Sequence, residues 1–148
     1  MDTQTQKTMF SSKSDMWGTP PTFFEKLNKK YKFTLDACAS ATNHKCDKYY
    51  TAEDDGLTKS WKDEVVFVNP PYSDVGKWVA KAYNESRENG ATVVMLIPAR
   101  TDTKYWHDYI MDAANKIYFI KGRLKFVNNN NITSNSAPFP SAVIVFDM

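Results

Sequence analysis

The stretch Val65-Val66-Phe67-Val68-Asn69-Pro70-Pro71-Tyr72 decides how this chain folds. Its four leading apolar residues predict a short strand buried on both faces, as inside a parallel sheet. Pro70 and Pro71 cannot continue sheet pairing, so the chain must leave the sheet there. Proline also confines the residue before it to extended geometry, which holds Asn69 and Pro70 stiffly. The outcome is an amide side chain, a fixed carbonyl and an aromatic ring at the carboxyl end of a strand. In open α/β sheets, ligands bind at that end.

The chemistry open to such a site is narrow. The exocyclic amino group of a purine is a poor nucleophile, because its lone pair is delocalised into the ring. The Asn69 side-chain oxygen and the Pro70 carbonyl can each accept one of its N–H bonds, pulling the nitrogen toward tetrahedral geometry and freeing the lone pair. Tyr72 can stack on the base. A base in a duplex is out of reach, so it must be flipped out or unpaired. The bland alternative is a tight turn after a buried strand.

On the N-terminal side, residues 1–15 are rich in Thr, Gln, Ser and Lys and lack periodicity, which reads as a mobile arm. Thr19 suits a helix N-cap and Pro20 the first helical position. Phe24, Leu27 and Tyr31 then recur at helical spacing, predicting a helix from about Pro20 to Lys30. Residues Phe33 to Ser40 read as a first strand ending in small residues that let a ligand approach the backbone. Asp36 at its end suits either a cofactor amino group or the loop itself. Tyr49-Tyr50-Thr51 reads as a short strand. Glu53-Asp54-Asp55 puts three acids before a turn, fit for ribose hydroxyls or for solvent.

On the C-terminal side, Ser73 or Asp74 caps a helix whose apolar face is Val75, Trp78, Val79, Ala82 and Tyr83, ending at Asn89-Gly90. Thr92 to Ile97 is a second buried strand, stopped by Pro98, with Arg100 at its carboxyl end. A helix capped by Thr101 or Asp102 turns Tyr105, Trp106, Tyr109, Ile110 and Ala113 inward, as core rather than a stacking platform. Ile117 to Ile120 is a strand. In Lys121 to Phe126, alternation puts Lys121, Arg123 and Lys125 on one side. A polar loop, Val127 to Pro140, precedes a last strand, Ala142 to Phe146, that closes the sheet. Its asparagines and serines suit base edges or phosphates.

With 148 residues, 42% of them hydrophobic and 24% charged, the chain suits one globular domain, here residues 16–148. It has no apolar run of membrane length and no signal-peptide core, which points to the cytoplasm. Cys38 and Cys46 are too few for a disulfide framework, and with His44 they lack the paired spacing of a zinc site, so thiols and no metal are expected. The net charge is only +2, but residues 113–146 hold Lys116, Lys121, Arg123 and Lys125 and no acid, a local surface able to neutralise phosphates.

In order, Trp17-Gly18-Thr19-Pro20-Pro21, Asp36-Ala37-Cys38-Ala39, Asp54-Asp55-Gly56-Leu57, Asn69-Pro70-Pro71-Tyr72, Gly122-Arg123-Leu124-Lys125-Phe126 and Pro140-Ser141 resemble the phage DNA N-6-adenine-methyltransferase family, from about Phe10 to Phe146. The resemblance implies an α/β, Rossmann-like S-adenosylmethionine-dependent methyltransferase fold in one compact domain, a mostly parallel sheet flanked by helices. It implies catalysis by Asn69, Pro70, Pro71 and Tyr72. It assigns S-adenosylmethionine to Trp17, Thr19 and Pro20 at the methionine end, Asp36, Ala37 and Cys38 along the loop, and Asp55 or Asp54 at the adenosine. The target adenine falls to Tyr72 and Phe126, or Phe139 in its place, and DNA phosphates to Arg100, Arg123 and Lys125. The expected partner is double-stranded DNA, and the expected enzyme is a monomer or weak dimer in the cytoplasm of a phage's host, where it protects against restriction. Two features depart from larger enzymes of this type: the cofactor loop lacks their glycines, and there is no separate target-recognition domain. The rival readings are an amino methyltransferase for RNA adenine or protein glutamine, and a non-catalytic DNA-binding decoy.

Overall fold

A computed structural model describes residues 17–128 and 136–147. The arm expected over residues 1–15 and residues 129–135 of the polar loop lie outside the described residues. The decisive stretch forms β2 (Val65–Val68), flanked by β1 (Leu35–Asp36) and β3 (Thr92–Pro98) and parallel to both. Val66, Phe67 and Val68 are at most 1% exposed. Burying side chains of this size stabilises the fold by about 1.5–3 kcal/mol each.

The rest of the sheet corrects the expectation of mostly parallel pairing. Its order is β1-β2-β3-β5-β4, with β4 at Lys116–Phe119 and β5 at Ser141–Asp147. β5 runs antiparallel to both neighbours, and its register against β3, from Thr92↔Asp147 to Pro98↔Ser141, is the longest ladder in the sheet. The fold is therefore an α/β arrangement on a mixed sheet, and β5 is inserted in it rather than closing it. An unbroken apolar run signals burial on both faces but carries no direction. Direction came from the connection: β5 starts on the rim where β4 ends, whereas a parallel neighbour needs a crossover to the opposite rim. As a consequence, the carboxyl ends of β1 to β4 and the amino end of β5 share one rim.

Helix α1 (Pro21–Tyr31) begins one residue later than expected, with Pro20 rather than Thr19 at the cap position. Helix α2 (Val75–Asn89) buries Val75, Trp78, Val79 and Ala82 on the expected face and ends at Gly90, whose φ of 70° is left-handed. Asp74 holds the α2 cap position without a side-chain capping bond, its carboxylate lying 3.8 Å from Lys77 Nζ instead. After β3, a π-helical segment (Trp106–Ile110) leads into α3 (Met111–Ala113), and Trp106 and Ile110 are core residues as expected. Among the described residues, no helix is long and apolar enough to cross a membrane.

Two expected strands are shorter or absent. The first keeps only Leu35–Asp36, because the Asp36 carboxylate accepts the amides of Cys38 (3.3 Å) and Lys45 (2.9 Å) and turns the chain aside. The Tyr49 strand reduces to one parallel bridge, Asp36↔Tyr49. Residues 121–126 form no strand, yet the alternation survives: Lys121, Arg123 and Lys125 are exposed while Phe126 is buried.

Candidate active site

Where β2 ends, Pro70 is buried and the Asn69 amide turns back toward the segment preceding α1. Both hydrogens of Asn69 Nδ2 are engaged, one by the Trp17 carbonyl oxygen and one by Thr19 Oγ1 at 3.0 Å. Asn69 Oδ1 is buried and has no hydrogen-bond partner among the described residues. A buried acceptor in that condition costs about 1–3 kcal/mol, so it demands an explanation. Thr19, expected as a helix cap, is 3% exposed and serves Asn69 instead.

Tyr72 is also buried, and its hydroxyl likewise lacks a partner among the described residues. Burial pushes its phenol far above the usual tyrosine value, with Arg100 opposing only weakly. Its ring meets Phe139 at 5.3 Å and 75°, and Phe126 at 6.2 Å and 87°. Trp17 packs edge-on against the same two rings, at 5.5 Å from Phe126 and 5.3 Å from Phe139. The structure thus brings both aromatic candidates to Tyr72 and gathers the four rings into one cluster. The Arg100 guanidinium sits 5.9 Å from the Phe139 ring centre, at the edge of that cluster.

A cleft opens beside Asn69, lined by Trp17, Thr19, Asp36, Cys38, Phe67 and Pro71 among others. A second cavity, of about 200 Å³, is lined by Ala37, Asp55, Gly56, Leu57 and Trp78 among others. Cys38, Ala39 and Pro71 line both, so the two adjoin. Most of the expected cofactor residues are gathered here. Two are not. Pro20 lines a neighbouring groove, and Asp54 is spent on its own turn, accepting the Thr51 amide (2.9 Å) and hydroxyl (3.1 Å), which hold its carboxyl below the usual range. Burial raises the Asp36 carboxyl, against the hydrogen bonds from Lys45 and Cys38. Burial also lowers the neighbouring Lys45 ammonium, with Asp36 opposing.

Some lining residues were not foreseen. Asn43 and Lys45 come from a stretch without periodicity, so no sequence signal marked them. Two glycines did carry a signal. A Cβ on Gly56 would lie 2.3 Å from the Ala37 carbonyl oxygen, and one on Gly18 would lie 2.4 Å from the Val127 carbonyl oxygen. Only glycine permits those backbone approaches. The neighbouring groove places Lys26 of α1 opposite Arg123 and Lys125, and none of the three is in an ion pair among the described residues.

The strand-end rim therefore carries a buried amide acceptor, Asn69 Oδ1, beside a cleft. Residues 5–148 match the family model described as DNA N-6-adenine-methyltransferase (Dam), and the chain belongs to that family. It is 33% identical over 120 residues to the DNA N-6-adenine-methyltransferase of Haemophilus phage HP1, covering 80% of this chain and 69% of that protein. It is 37% identical over 106 residues to the protein of the same name from Escherichia phage T1, covering 70% of this chain and 44% of the relative.

Proposed function

We propose that this chain transfers a methyl group from S-adenosylmethionine to the N6 amino group of an adenine flipped out of double-stranded DNA. Adenine-specific DNA methylation follows from family membership and from relatives of that name. The observation that carries the mechanism is Asn69 Oδ1, buried beside the cleft and without a partner among the described residues. With both Nδ2 hydrogens spent, the amide presents only an acceptor, which is what an amino group requires. Pro70 follows at a position made rigid by its ring and by Pro71, and its carbonyl is the second acceptor.

The donor supplies an electrophilic carbon: the N–C bond forms as the C–S bond breaks, the electron pair passes to sulfur, and the amino nitrogen sheds one proton to solvent. The protein's part is alignment and the two acceptors. The adjoining cavities suit an elongated ligand, with Trp17, Asp36 and Cys38 at one end and Ala37 and Asp55 at the other. Gly56 packs its backbone against the Ala37 carbonyl, and the small side chains of Ala37 and Ala39 line the cavity where larger enzymes have a glycine-rich loop. This supports a Rossmann-like methyltransferase fold over residues 16–148, with its cofactor at the ends of parallel β1 and β2. Entry of adenine would part the Trp17, Tyr72, Phe126 and Phe139 rings and place the base on Tyr72. Arg100, Arg123, Lys125 and Lys26 would take the phosphates.

Labelled methyl transfer from S-adenosylmethionine to unmethylated duplex DNA, followed by digestion to nucleosides, tests this reading. Label in N6-methyladenine is the expected result. Cofactor binding without label in DNA would redirect the assignment to RNA adenine or protein glutamine, and neither binding nor label would leave a DNA-binding decoy.

A further inference from the structure

An amide has two ends that differ little in shape and are opposite in chemistry. Turned end for end, Asn69 would offer the target amino group two donors and no acceptor. The sense seen here is set by the Trp17 carbonyl oxygen, which can only accept: a flipped amide would put Oδ1 against it. The carbonyl uses one Nδ2 hydrogen. Thr19 Oγ1, 3.0 Å away, uses the other. Thr19 is 3% exposed, comes from a chain segment 50 residues distant, and contributes no cap to α1.

We propose that Thr19 is a positioning residue for methyl transfer, locking the Asn69 amide so that Oδ1 alone faces the target nitrogen. The inference rests on the functional reading above and departs from assigning Thr19 to the cofactor. Its hydroxyl holds the catalytic acceptor still, and its effect is felt in the chemical step rather than in cofactor affinity.

Three measurements on the full chain test it: kcat on duplex DNA at saturating S-adenosylmethionine, KM for DNA, and the Kd for S-adenosylmethionine. Thr19→Val keeps the shape and removes the hydroxyl, and kcat should fall roughly tenfold, the loss of one hydrogen bond expressed as rate. The Kd and KM should stay within about twofold, on the usual reading that a kcat loss without a binding loss removes a transition-state interaction. Thr19→Ser, which restores the hydroxyl, should recover most of the lost kcat. Unchanged kcat in Thr19→Val would overturn the proposal. So would weaker cofactor binding with kcat preserved, or an equal loss in Thr19→Ser, which would assign the role to the methyl group's packing. Should the valine variant unfold, Thr19→Cys, with a far weaker acceptor, carries the same expectation. Asn69→Ala separates the two levels of the argument: normal turnover in that variant would sink the functional reading itself, whatever Thr19 does.

Discussion

Two buried polar clusters in this protein make a useful contrast. On α2, Glu85 is 4% exposed and fully satisfied: Lys81 Nζ lies 2.7 Å from Oε1 and Asn89 Nδ2 lies 2.7 Å from Oε2. Lys81 also sits 5.4 Å from the centre of the buried Trp61 ring. Burial alone would raise the Glu85 carboxyl, but the hydrogen bonds from Lys81, Asn89 and the Trp61 backbone outweigh it and hold the carboxyl below the usual value. At the end of β2, by contrast, Asn69 Oδ1 and the Tyr72 hydroxyl are buried with no partner among the described residues. The first cluster is complete in the folded chain and serves stability. The second leaves acceptor capacity over, which under the proposed function the target amino group would use.

The contrast can be broken most decisively at Asn69. Asn69→Ala should lower turnover by on the order of 10²–10³-fold, the effect of losing one preorganised group aimed at the reacting atom. S-adenosylmethionine affinity and thermal stability should be little changed, and radiolabel transfer with calorimetry reads both. At Glu85 the effects should be reversed. Glu85→Gln should destabilise the fold by about 1–3 kcal/mol at pH 7, because the half-buried Lys81 ammonium loses its carboxylate, while kcat of the folded enzyme is retained.

The same pair predicts a pH dependence. The folded-state pKa of Glu85 lies below its ordinary 4.5, so its contribution is complete well above pH 4.5 and is lost as pH falls through the folded value. Urea unfolding of wild type and Glu85→Gln should therefore converge as the pH is lowered below about 4.5. A constant gap would mean that the ionised carboxylate is not what the cluster requires.

Smaller effects sharpen the picture. Tyr72→Phe removes only an unpartnered hydroxyl, so stability should hold or rise by up to about 1 kcal/mol and turnover should fall less than about tenfold. A large loss of turnover would give that hydroxyl a direct role. The smallest effect is expected outside both clusters, in the groove of Lys26, Arg123 and Lys125. Lys26→Gln should weaken duplex binding evenly across sequences and reduce the slope of log affinity against log salt by about 1, leaving cofactor affinity alone.

What was legible in advance followed from local rules. The strand at Val65–Val68 and its exit at Asn69-Pro70-Pro71-Tyr72 depend on apolar runs and proline geometry, and both are there. Helix α2 depends on a periodicity of apolar residues and a terminal glycine, and both hold. Asp36, Cys38, Asp55 and Asn69 converge because each closes a strand or enters a turn on the same rim.

By itself, then, the sequence determined where the chain must stop pairing, which faces are buried, and which functional groups are held at a strand end. These are covalent and short-range constraints. The tertiary structure decided the rest. It set the reversed direction of β5, which no apolar run encodes. It chose Asp55 over Asp54 for the cavity, because Asp54 is consumed by Thr51 in its own turn. It brought both Phe126 and Phe139 onto Tyr72, and it took Thr19 away from the helix it might have capped. The Asn69–Thr19 bond joins residues 50 positions apart. Only the assembled sheet, with the residues before α1 laid across the end of β2, brings that hydroxyl within reach of that amide.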